Sequence, residues 1–135
     1  MIVLDTSVLS AVYRRRQVSS PAPRVVRRFI ELVESDAPLA IPGVVLQEIL
    51  SVVKLETEFQ KLDDLLSGFP LLLASRQTHV RAAQVRNLCR AGGVAAATVD
   101  CLITAHVLLG EAELMTLDED FVRIARHTEL RLLTI

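Results

Sequence analysis

Five short apolar runs, IVL, LAIP, FPLLLA, ELMTL and LRLLTI, recur along this chain, and stretches of helical character separate them. Strands that alternate with helices pair in parallel, because each crossover helix returns the chain to the same edge of the sheet. The pattern predicts an α/β fold: a three-layer α/β/α sandwich around a central parallel sheet of about five strands. Residues 1–135 would form it as a single domain. Hydrophobic residues make up 51% of the chain and aromatics only 4%, so Leu, Val, Ile and Ala must build the core.

Local signals fill in this frame. IVL ends in DTS, where Thr6 or Ser7 can cap a helix continuing through SVLSAVYRRR. Gln17 to Pro23 reads as a loop, followed by a helix over Arg24 to Glu34 with Val25, Phe29, Leu32 and Val33 as its apolar stripe. Pro42 should stop the second strand. Helices are then expected over Val44 to Lys54, Glu56 to Leu66 and Thr78 to Arg90, the last ended by Gly92-Gly93. Thr98 is placed to cap a helix reaching Leu109, and Glu119 to Arg126 forms a short one.

Against this apolar background four acids stand out. Asp5 closes MIVLD, Glu48 sits inside VVLQEILSVV, Asp100 inside VAAATVDCLITAHVLL, and Asp118 follows LMTL. A carboxylate carried into an apolar interior costs several kcal/mol unless something positive compensates it. Each acid also has an ordinary explanation: a helix cap for Asp5, a polar turn for Asp118, a dipole partner for Asp100, a salt bridge for Glu48. Together they suggest one shared compensator, a divalent cation. In parallel α/β sheets ligands bind beyond the carboxyl ends of the strands, and all four acids fall at strand ends or helix starts on that edge. Asp5 is expected at the end of the central strand.

The ordered blocks MIVLDTSVLSA, VLQEIL around Glu48, TVDCLITA around Asp100 and LMTLDEDF resemble the signature blocks of PIN-domain ribonucleases. The short single-domain form is most similar to the VapC-type toxins of bacterial toxin–antitoxin pairs, over nearly the whole length. This resemblance implies that Asp5, Glu48, Asp100 and Asp118 are the catalytic, metal-binding acids, with Asp120 at the more variable acidic position. Ser7 matches a polar position supporting the first acid, and Thr116 the small hydroxyl before the fourth. The implied activity is endoribonucleolytic hydrolysis by water, leaving a 5′-phosphate and a 3′-hydroxyl. The implied partners are an RNA substrate, a small antitoxin and a second copy in a homodimer. Thr104 stands where the family usually has alanine.

The chemistry of the residues agrees. Oxygen ligands suit Mg²⁺ or Mn²⁺, and no His/Cys set is spaced for zinc. His79, His106 and His127 read as structural or surface residues. An aspartyl phosphotransferase would want a second Asp where Ser7 stands, a P-loop GxxxxGK[ST] is absent, and LRLLTI lacks the late lysine of a receiver domain. The alternative from another class is a non-catalytic PIN-fold module that binds RNA or protein.

The net charge of −1 gives no global basic field, which argues against a passive nucleic-acid coat. It leaves room for an acidic pocket with a basic rim. Arg14, Arg15 and Arg16 are the arginines expected to contact phosphates, roughly 15 Å from the acids at ~1.5 Å rise per residue. Arg76, Arg81, Arg86 and Arg90 form a second, spaced set. The helices over Val44 to Lys54 and Glu56 to Leu66 carry more apolar surface than one sheet face needs, which suggests an association surface. Cys89 and Cys101 are expected as buried, reduced thiols. Asp5 comes before any signal-peptide core could form, and Asp100 and His106 break the longest apolar stretch. A soluble, cytoplasmic protein without a membrane segment is the expectation.

Overall fold

The structure is a computed structural model that describes residues 1–14 and 23–135. Arg15, Arg16 and all but the last residue of the expected loop over Gln17 to Pro23 lie outside the described residues. The elements run β1 (Ile2–Leu4), α1 (Thr6–Tyr13), α2 (Arg24–Glu34), β2 (Leu39–Pro42), α3 (Gly43–Ser51), α4 (Glu56–Leu66) and β3 (Leu71–Leu72). There follow α5 (Arg76–Ala91), α6 (Thr98–Leu109), β4 (Glu113–Met115) and α7 (Asp120–Ala125).

Four strands form one parallel sheet in the order β3-β2-β1-β4. Val3 and Leu4 are successive residues of β1, so their side chains point to opposite faces, and both are 0% exposed. Both faces of the sheet are therefore covered, which is what makes parallel strands read as unbroken apolar runs. Helices flank the sheet, as the alternating pattern predicts.

The expected fifth strand is reduced to one parallel bridge between Leu114 and Leu132. The Leu114 amide donates to the Arg131 carbonyl (2.9 Å) and the Leu133 amide to the Leu114 carbonyl (2.8 Å). An apolar run signals burial, but the number of ladder bonds it makes depends on how long it lies beside β4.

Most helix boundaries match the periodicity, and the departures have local causes. Helix α5 starts at Arg76 rather than Thr78, because Ser75 and Thr78 form a reciprocal capping box. The cap of α1 is Asp5 rather than Thr6 or Ser7. Thr98 does not cap α6; Ala97 occupies that position, and the Thr98 hydroxyl accepts a bond from Arg86 (2.9 Å). Val33 is exposed, so the buried stripe of α2 is Val25, Phe29 and Leu32.

Helix α6 is the central one: Cys101, Ile103, Thr104, Ala105, His106 and Val107 are all buried. A helix apolar nearly all round belongs inside a domain. It packs along α5 and against β4, which fixes its first turn over the carboxyl edge of the sheet. Cys89 and Cys101 are buried free thiols, and burial lowers the pKa of His106. No helix among the described residues is long and apolar enough to cross a membrane.

Candidate metal centre

The parallel ladder brings the ends of β1 and β4 side by side. Leu4 pairs with Met115, and the Asp5 amide continues the ladder to the Met115 carbonyl (3.1 Å). Asp5 and Thr116 are consequently neighbours although 111 residues separate them, and the Thr116 hydroxyl donates to Asp5 Oδ2 at 2.8 Å. Ser7 adds a second hydroxyl to the same oxygen at 2.7 Å. The bonds to the Asp5 carboxylate thus fall on Oδ2, and the residue as a whole is 5% exposed.

The same two hydroxyls hold the β4 end. Ser7 Oγ accepts from the Leu117 amide (2.9 Å), and Thr116 Oγ1 accepts from the Asp118 amide (3.0 Å). Asp118 Oδ1 in turn accepts from the Asp120 amide (2.9 Å), so one short turn displays both carboxylates. Glu48, in the second turn of α3, accepts from the Thr6 hydroxyl (2.9 Å). All five acids named from the sequence are thus placed from the carboxyl edge of the sheet.

They are not equivalent. Carboxylate oxygens of Asp100, Asp118 and Asp120 lie within 4.8 Å of one another, a spacing that one cation could bridge. Asp5 and Glu48 are outside that trio but close enough to act on it electrostatically. Burial first, then the charges of Asp118, Asp5, Asp120 and Glu48, push the Asp100 carboxyl up to about 6. Every one of these influences opposes the negative form. A bound divalent cation would reverse that balance, and an all-oxygen donor set fits Mg²⁺ or Mn²⁺. The residues therefore fit such an ion.

The premise that all four acids are buried needs correction. It holds for Asp5 and in part for Asp100, but Glu48 is exposed. Its neighbours Val45 and Ile49 carry the burial of α3, at 0% and 1% exposure. Each residue turns the helix by about 100°, which takes position 48 off their stripe.

Sequence reasoning missed two residues here. Thr6 binds Glu48, and Arg123 pairs with Asp120 at 3.2 Å on the rim. The spacing DFVR, with Asp and Arg three apart on a helix, was the available signal. Arg14 was expected at a distance from the acids, and it is not among the described residues lining the cavity beside Asp100 and Asp120. It lines a separate groove of about 260 Å³ with Tyr13, Val53, Lys61, Leu62 and Leu65.

A parallel α/β domain with clustered acids at the carboxyl edge of its sheet is the class of protein these features define. The chain belongs to the PIN domain family, whose pattern matches residues 2–127. Ribonuclease VapC11 of Mycobacterium tuberculosis is similar to it, with 33% identity over 133 residues, covering 97% of this chain and 96% of that protein. VapC ribonuclease Mb1587 of Mycobacterium bovis matches to the same extent. Among solved structures, FitAcB from Neisseria gonorrhoeae superposes with a TM-score of 0.77 at 20% identity, covering 99% of this chain and 97% of that one. VapBC2 from Rickettsia felis, bound to a DNA fragment from their promoter, gives 0.75 at 23% identity, covering 98% of each chain. Identities this low establish the shared fold.

Proposed function

We propose that this chain is a divalent-metal-dependent endoribonuclease and the toxin of a toxin–antitoxin pair. One observation carries the reading: carboxylate oxygens of Asp100, Asp118 and Asp120 converge within 4.8 Å, where burial first and then the charges of Asp118, Asp5, Asp120 and Glu48 raise the Asp100 carboxyl to about 6. Structural acids seldom accumulate uncompensated charge in this way, whereas functional sites do. The relatives named as VapC ribonucleases support the substrate class. Neighbours described as VapBC or as a toxin–antitoxin complex support a small antitoxin as partner.

Asp100, Asp118 and Asp120 would hold Mg²⁺ or Mn²⁺, with Asp5 and Glu48 completing the acidic wall. When bound, such an ion lowers the pKa of a water and neutralises charge growing on a phosphodiester. The chain's own residues orient and preorganise. Ser7 and Thr116 fix Asp5, Thr6 fixes Glu48, and the Asp120 amide fixes Asp118. Preset carboxylates need no rearrangement when substrate arrives. Water would be the nucleophile, and the family resemblance implies products with a 5′-phosphate and a 3′-hydroxyl.

Asp5→Asn keeps an acceptor oxygen and the side-chain volume while removing the charge. It should abolish RNA cleavage with the fold intact by circular dichroism. Undiminished cleavage by that variant, or by the wild type in excess chelator, would overturn the mechanism and leave a non-catalytic RNA- or protein-binding module. Co-expression with the product of an adjacent small reading frame tests the antitoxin: the reading expects a stable complex that cuts no RNA.

A further inference from the structure

We infer that the cavity between residues 93–97 and α7 is the subsite for an RNA nucleotide flanking the scissile phosphate, and that Arg123 binds the phosphate that positions it. The inference rests on the endoribonuclease reading and adds a substrate contact to it.

The cavity measures about 320 Å³ and shares two walls with the metal centre, Asp100 and Asp120. Whatever fills it therefore lies beside the carboxylate trio. The rest of the wall, apart from Arg123, is small and apolar, made by Gly93, Val94 and Ala95 to Ala97 with Ile124 from α7. Such a wall accepts the face of a sugar or base without selecting it by hydrogen bonds. Arg123 is the one cation among the described residues that line it.

A second depression of about 250 Å³ also has Arg123 in its wall, with Glu119, Val122 and Arg126. Arg123 thus lines both, the first with Asp100 and Asp120 and the second with Glu119 and Arg126. Two arginines three residues apart share one helix flank, as a pair of successive phosphate contacts requires. Among the described residues Arg14 lines a different groove, whereas Arg123 of α7 lines the cavity that Asp100 and Asp120 also wall.

The Arg123–Asp120 ion pair does not hold this arginine back. Its side chains are 51% and 62% exposed, and pairs so exposed are weak. A cation drawn to Asp120 competes for the same carboxylate and leaves the guanidinium fork for a phosphate, whose geometry it matches. Arg123 is in this sense a positioning residue: it holds the chain of the substrate, not the reacting atoms.

Arg123→Ala and Arg123→Lys test this, read in two ways. On cleavable RNA in Mn²⁺, Arg123→Ala should raise KM about tenfold or more, the loss of one charge-assisted bond, with kcat little changed. The slope of log KM against log salt should flatten by about 0.7, the release of one counterion from a single strand. Arg123→Lys should recover part of KM, and Mn²⁺ affinity by calorimetry should be unchanged or tighter. An unaltered KM and salt slope would overturn the inference, as would a parallel fall in Mn²⁺ affinity and kcat, which would mean that Arg123 only holds Asp120. The second readout is anisotropy of a labelled single-stranded RNA on the Asp5→Asn background. Weaker binding on adding Arg123→Ala supports the subsite even if the wild type cuts nothing, the result that would sink the endoribonuclease reading alone. Equal binding, or none by the parent, removes the subsite.

Discussion

Thr116 links two acids through one hydroxyl, donating to Asp5 and accepting from the Asp118 amide. Replacing it with the isosteric Val keeps the packing and removes both bonds. Outer-shell partners of this kind are typically worth about 10–100-fold in metal affinity or activity. Thr116→Val should show a loss of that order by Mn²⁺ calorimetry, and Thr116→Ser should restore most of it. Asp100 makes a separate prediction about pH. Its folded-state pKa of about 6 lies above the ordinary 3.8, so between those values the folded chain binds more protons than the unfolded one. In chelator its contribution is therefore fully favourable below about pH 4 and is lost as pH rises through about 6. Urea melts at pH 4.5 and 7.5 should give Asp100→Asn a smaller loss of stability than the wild type. Asp118→Asn, which removes the largest of the neighbouring repulsions, should fall between them.

At the scale of the element, caps decide where helices begin. Ser75 and Thr78 satisfy each other's amides at the start of α5, the helix that packs along α6 and so supports the first turn carrying Asp100. Ser75→Ala should cost about 1 kcal/mol in chemical denaturation, the usual worth of such a cap. The boundary was readable in SRQT, but an alternative start at Thr78 satisfied the apolar periodicity equally well. The end of α5 has a different logic. A Cβ at Gly92 would collide with the His127 ring, so this position is small because a side chain from a distant segment rests on it. The last strand could not be measured from LRLLTI for a similar reason: apolar character reports burial, and pairing length is set by the partner.

Across the whole molecule, the acids and an apolar corner pull on different equilibria. A cation that binds only the folded state stabilises it by mass action, about 2.7 kcal/mol at 100 times its dissociation constant. Mn²⁺ should therefore raise the melting temperature of the wild type and leave Asp100→Asn nearly unmoved. Val52, Leu55 and Leu65, at 52%, 60% and 54% exposure, form the corner around α3 and α4. They suit the association surface expected from the sequence and the homodimer that the family resemblance implies, because apolar groups left in water favour association. Light scattering at micromolar concentration should give a dimer, and Leu55→Glu with Leu65→Glu should yield a folded monomer. A strict monomer in the wild type would count against it.

The sequence by itself determined the kinds of element, their alternation, the parallel sheet that follows, and the edge on which Asp5, Glu48, Asp100 and Asp118 would lie. Those are consequences of local periodicity and of strand direction, which neighbouring residues encode. Tertiary structure alone decided the strand order β3-β2-β1-β4 and the shortening of the fifth strand to a bridge. It also decided that Asp120 joins Asp100 and Asp118 in a close trio while Glu48 is exposed, and that Arg123 lines the cavity beside them while Arg14 lines another groove. Separations between side chains far apart in the sequence depend on how α6 and α7 settle against the sheet. That packing is a property of the whole set of contacts, and no window of neighbouring residues contains it.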